Sequence, residues 1–89
     1  MIYTTREQCK EKILEVTNFA IENDLSAAII FHKNFVSGIE YRVMYAENYN
    51  ECNLWLDHVT SFLKNLSKPL PYVAYINGEM KKSMGDIFA

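Results

Sequence analysis

Eight consecutive residues, Ser26 to Lys33 (SAAIIFHK), constrain this chain more than any others. Ala27 to Phe31 is an uninterrupted apolar run bounded by polar residues, and it is far shorter than the ~20 residues that span a bilayer. Such a run reads as a strand buried on both faces. The whole chain has only 89 residues, so there is room for one small domain. The strand therefore belongs in the middle of a sheet, and the rest of the chain must cover it.

Residues 5–23 have helical periodicity, with Cys9, Ile13, Val16, Thr17 and Ala20 on one side and Leu14 and Ile21 beside them. Thr4, three residues before Glu7, has capping-box spacing. Asn23-Asp24 ends the helix, and Leu25 can fold back on its last turn. After the central strand, residues 34–38 contain Gly38 and suit a hairpin connection. Ile39, Tyr41, Val43 and Tyr45 then alternate with Glu40, Arg42 and Met44, the pattern of a half-buried strand. A second helix is expected over 50–66, capped by Asn48 or Asn50, with Cys52, Trp55, Leu56, Val59, Phe62, Leu63 and Leu66 as its buried stripe. Pro69 and Pro71 end it. Tyr72 to Ile76 reads as a third strand, and Asn77-Gly78 is a strong two-residue turn signal that returns Glu79 to Ser83 as an edge strand.

The expected fold is α+β, a two-layer αββαβ sandwich with a mostly antiparallel sheet and both helices on one face. If Met1–Tyr3 also pairs, the order becomes βαββαβ, the ferredoxin-like pattern. A right-handed crossover makes the second and third strands parallel and gives the order 2-1-3. Residues 1–83 form the single compact domain, and 84–89 are expected as a flexible C-terminal tail. A small sheet covered on one side invites self-association through the other, so a homodimer is expected. Leu54 and His58 on the second helix, with Arg42 and Met44 on the sheet, are the candidate contact residues.

Little in the chain points to catalysis. Two Cys and two His are too few and too scattered for a metal centre, and no cofactor is expected. Cys52 and His58 stand on different sides of their helix. The three glycines, 38, 78 and 85, make no phosphate-binding loop. Cys9 and Cys52 read as buried apolar groups, kept reduced in a cytoplasmic setting. His32 reads as a satisfied structural histidine and His58 as surface. The tyrosines read as core packing rather than as stacking platforms for RNA, and a net charge of −2 disfavours direct nucleic-acid binding. No membrane segment is expected.

The remaining signal is acidic. Glu7, Glu11, Glu15 and Glu22 run along one helical face opposite the apolar stripe. From Glu7 to Asp57 there are nine acids and four bases, whereas residues 58–89 hold two acids and four lysines. Such a ridge is either a solvated face or a surface aimed at a basic partner, including the nucleic-acid-binding site of another protein. The residue usage, rich in Phe, Tyr, Ile, Asn and Lys, follows AT-rich codons of a bacterial or viral genome. These features lead to the expectation of a small non-catalytic binding module, such as a phage-type inhibitor or regulator of a host protein. The alternative is a small ligand- or nucleotide-binding regulator, or a small enzyme, with its pocket at a dimer interface.

Overall fold

The computed structural model describes residues 5–34 and 38–89. Its elements are α1 (Arg6–Glu22), β1 (Ser26–Lys33), β2 (Ile39–Ala46), α2 (Tyr49–Lys64), β3 (Tyr72–Ile76) and β4 (Glu79–Met84). The strand expected at Met1–Tyr3 lies outside the described residues. The α+β class holds, with two helices and one antiparallel sheet in the order β2-β1-β3-β4. Because β2 and β3 both run antiparallel to β1, they are parallel to each other, as the crossover through α2 requires.

Local chemistry accounts for the boundaries. The capping box of α1 is made by Thr5 and Gln8, one residue later than Thr4 and Glu7 would place it. The Gln8 N–H donates to Thr5 Oγ1 and the Thr5 N–H to Gln8 Oε1, both at 3.2 Å. The helix stops at Asp24, whose φ of 54° puts it in the left-handed region, and the Leu25 N–H returns to the Ala20 carbonyl at 2.8 Å. Asn48 caps α2 by accepting from the Glu51 N–H at 3.0 Å. Asn77 and Gly78 both have positive φ, 52° and 85°, as a two-residue hairpin turn of this kind demands. The Asn77 side chain also accepts from the Ala27 N–H at 2.9 Å, fastening the turn to the start of β1.

β1 is the core. Residues 27 to 32 are all buried. Its side chains alternate between two clusters: Ala27, Ile29 and Phe31 pack with Cys9, Val16 and Ala20 of α1, while Ala28 and Ile30 pack with Cys52, Leu56 and Leu63 of α2. Successive strand residues point to opposite faces, so one helix covers each face. This corrects the placement of both helices on one side. A strand apolar on both faces needs two covers, and the chain supplies both itself.

Two helical stripes also differ from expectation. Phe62 is 63% exposed and Trp55 is half-buried, because α2 turns Thr60 inward instead. Thr60 is tolerated there since its hydroxyl donates to the Leu56 carbonyl at 2.8 Å. On α1, Leu14 and Ile21 are 63% and 72% exposed. That helix buries Cys9, Val16 and Ala20, with Ile13 partly buried beside them, and Leu14 and Ile21 fall outside this stripe. Nor do residues 84–89 stand apart from the domain. Met84 ends β4, Ile87 is buried in the α1-side cluster, and Arg6 lies over the Phe88 ring at 4.4 Å.

Candidate functional site

The four carboxylates of the ridge, Glu7, Glu11, Glu15 and Glu22, are all exposed on the outer face of α1. They are not equally available. Lys12 reaches Glu15 at 2.9 Å, and Lys10 stands 4.0 Å from Glu7. Glu11 and Glu22 have no ion pair among the described residues. The Lys10–Glu7 pair is exposed and contributes about 0–1 kcal/mol, whereas the Lys12 side chain is only 16% exposed. With four carboxylates against two lysines the ridge stays net negative.

What sequence periodicity misses is the apolar border of this ridge. Leu14 and Ile21 flank it on one side and Phe19, 47% exposed, on the other. Phe19 stacks on Tyr45 of β2 with centroids 4.9 Å apart, and Tyr45 is itself exposed. The residues expected beside the core thus become part of the surface. Their i, i+7 spacing was visible, but how far round the helix the buried stripe of Cys9, Val16 and Ala20 extends was not.

The four self-association residues do not form one patch. Met44 lies beneath α2, with Cys52 Sγ 4.0 Å from its sulfur. Leu54 and His58 stand on the outer side of that helix, next to Phe62, where His58, Ser61, Phe62, Asn65 and Leu66 line a shallow groove of about 290 Å³. Arg42 is exposed on β2, on the same face of the strand as Met44.

The two histidines and two cysteines stand apart from one another along the chain. His32 is only 4% exposed; its Nδ1 meets the Lys33 carbonyl at 3.0 Å, whereas Nε2 has no hydrogen-bond partner and lies 4.0 Å from a Glu40 oxygen. The histidine is structural in position but satisfied at one nitrogen only. Among the described residues there is no group of three or more His, Cys, Asp or Glu able to hold a metal ion. No helix among them is long and apolar enough to cross a membrane. Tyr41 and Tyr75 flank Phe31, at 6.4 and 6.3 Å between centroids, and pack partly buried against the α1-side core. An open groove of about 340 Å³ between α1, β4 and the last residues is lined by Arg6, Tyr75, Met80, Asp86 and Phe88 among others.

Burial pushes both thiols up from their usual range, and Glu51 adds to the effect at Cys52. The folded protein therefore holds these protons at a pH where the unfolded chain releases them. Their contribution to stability is complete below about pH 8.5, the ordinary thiol value, and is lost as pH rises through the higher folded value. Urea midpoints measured on either side of about pH 8.5 should fall toward the alkaline side. Thiol reagents should label Cys9 and Cys52 only as fast as the protein opens, and labelling at the rate of a free thiol would contradict their burial. Comparison with known protein families, with curated proteins and with solved structures returns no match.

Proposed function

We propose that this chain is a non-catalytic binding module that acts by contact with another protein through the outer face of α1. The observation that supports this reading is the union of charge and apolar surface there. Among the described residues Glu11 and Glu22 make no ion pair, and Leu14, Phe19 and Ile21 stand exposed around them. Carboxylates alone steer an encounter and set its salt dependence. Large apolar side chains beside them supply the desolvated contact that holds a complex once formed. The partner that fits is a protein with a basic surface and an apolar recess within it. A nucleic-acid-binding site of another protein has that chemistry, and occupying it would block or regulate its owner.

The test compares the parent with two variants as immobilised baits in lysate from the source cells. One variant carries Glu11→Gln and Glu22→Gln, the other Leu14→Ser and Ile21→Ser. All four sites are exposed, so folding should be unchanged within about 0.5 kcal/mol. A partner retained by the parent should associate about tenfold more slowly with the charge variant at low salt. It should dissociate faster from the apolar variant. Equal retention by all three proteins at low and high salt would remove α1 from the interaction.

A further inference from the structure

The two edges of the sheet are built differently. β4 has six residues, carries Lys81 and Lys82, and slips register between Ala74 and Tyr75. Short length, lysines and irregularity all discourage addition of a further strand. β2 has eight residues, no Pro, Gly or Lys, and an unbroken register on β1 from Ala46 to Ile39. Among the described residues, nothing in strand conformation lies beyond it.

The ladder shows which groups β2 presents outward. The Lys33 N–H donates to the Pro71 carbonyl and the Asn77 N–H to the Ala27 carbonyl, so odd-numbered residues of β1 serve β3. Even-numbered residues of β1 then serve β2, as the Asn34 N–H on the Gly38 carbonyl continues beyond the strand ends. With Ile30 opposite Arg42, the inward positions of β2 are the even ones. The backbone groups of Ile39, Val43 and Tyr45 turn away from the sheet.

We propose that β2 pairs with β2 of a second copy, antiparallel, about a two-fold axis through residue 41. The result is one continuous sheet across both copies. Charge selects this register. Outward odd residues must face odd residues, which leaves axes at 41, 42 or 43 for a substantial overlap. An axis at 42 sets Arg42 against its own copy, a like-charge contact. An axis at 43 leaves Arg42 opposite Met44 and Glu40 opposite Ala46. The axis at 41 places Glu40 opposite Arg42 twice, at positions of closest cross-strand approach. Both side chains are accessible for this. Arg42 is exposed with no ion pair among the described residues. Glu40 is half-exposed, and among the described residues its carboxylate has Asn34 at 3.5 Å and His32 at 4.0 Å as polar neighbours. The exposed Phe19–Tyr45 pair stands at the same edge, on the α1 face.

This interface lies along the β2 edge and meets the face proposed above only at Phe19, and its test is the mass of the full chain in solution. Sedimentation equilibrium across the micromolar range should give about twice 10.4 kDa. Val43→Pro removes an outward N–H while leaving the ladder to β1 intact, as edge positions tolerate. It should give a monomer with an unchanged circular dichroism spectrum. Arg42→Glu and Glu40→Arg should each raise the dimer dissociation constant at least about tenfold. Mixing those two variants restores opposite charges at both contacts and should restore the dimer. A monomeric parent would overturn the proposal, as would a dimer that survives Val43→Pro in folded form. Should Val43→Pro fail to fold, the mixing experiment decides: a mixed pair no tighter than either variant alone rejects the register and the interface.

Discussion

Phe31→Ala should destabilise the protein by about 3–5 kcal/mol, the cost of truncating a core aromatic. Phe31 is fully buried at the centre of β1, and Tyr41 and Tyr75 contact it from the two neighbouring strands. No neighbour can collapse into the space it leaves, because those rings are held by their own strands. Domains of this size have total stabilities of roughly 5–15 kcal/mol, so the variant should be marginal or unfolded at room temperature. Urea denaturation followed by far-ultraviolet circular dichroism measures the loss. A shift below about 1 kcal/mol, the centre of the distribution for ordinary point mutants, would mean that the α1-side core is not organised around this ring.

The second large effect is a contrast on α2. Leu56→Ala should cost about 2–5 kcal/mol, since Leu56 is 1% exposed and sits in the middle of the α2-side cluster. Phe62→Ala removes a larger side chain from the same helix, yet should change stability by no more than about 0.5 kcal/mol. Phe62 is 63% exposed. If the two variants were equally destabilised, α2 would have to be rotated from the orientation described. The comparison therefore tests the helix's orientation directly, without a structure of either variant.

That contrast also marks how far the sequence could be read. Elements were legible where local chemistry decides them: the period-two run of β2, the Asn77-Gly78 turn and the left-handed stop at Asp24. The direction in which α2 faces was not, because a buried threonine looks polar in a list of residues. Its hydroxyl is satisfied within its own helix, a fact only the folded backbone supplies. The cover of β1 was half legible. Its double-sided apolarity calls for cover on both faces, yet no local signal assigns a helix to a face. The sequence reading puts both helices on one side, where the fold has one on each. The site fared similarly. The four glutamates share a face as their spacing requires, whereas Leu14 and Ile21 are surface because α1 buries only the stripe of Cys9, Val16 and Ala20 with Ile13 beside it. Ile87 and Phe88, an apolar pair near the end of the chain, were the unread sign that the last residues pack.

β1 pairs with β2 through a nearby hairpin, but its other partner, β3, lies about half the chain away: Ala28 meets Ile76 and His32 meets Tyr72. Contacts so distant in sequence form slowly, because a long loop must close before they contribute. On the ribosome the consequence is an interval of exposure. Once residues 5–46 have emerged, α1, β1 and β2 can assemble, yet one edge of the most apolar strand stays open until β3 follows. During that interval the nascent chain carries an unpaired edge of the kind that recruits chaperones or aggregates. Synthesis speed between residues 47 and 76 thus becomes a determinant of yield, and slowing translation there should lower the soluble fraction without altering the finished fold.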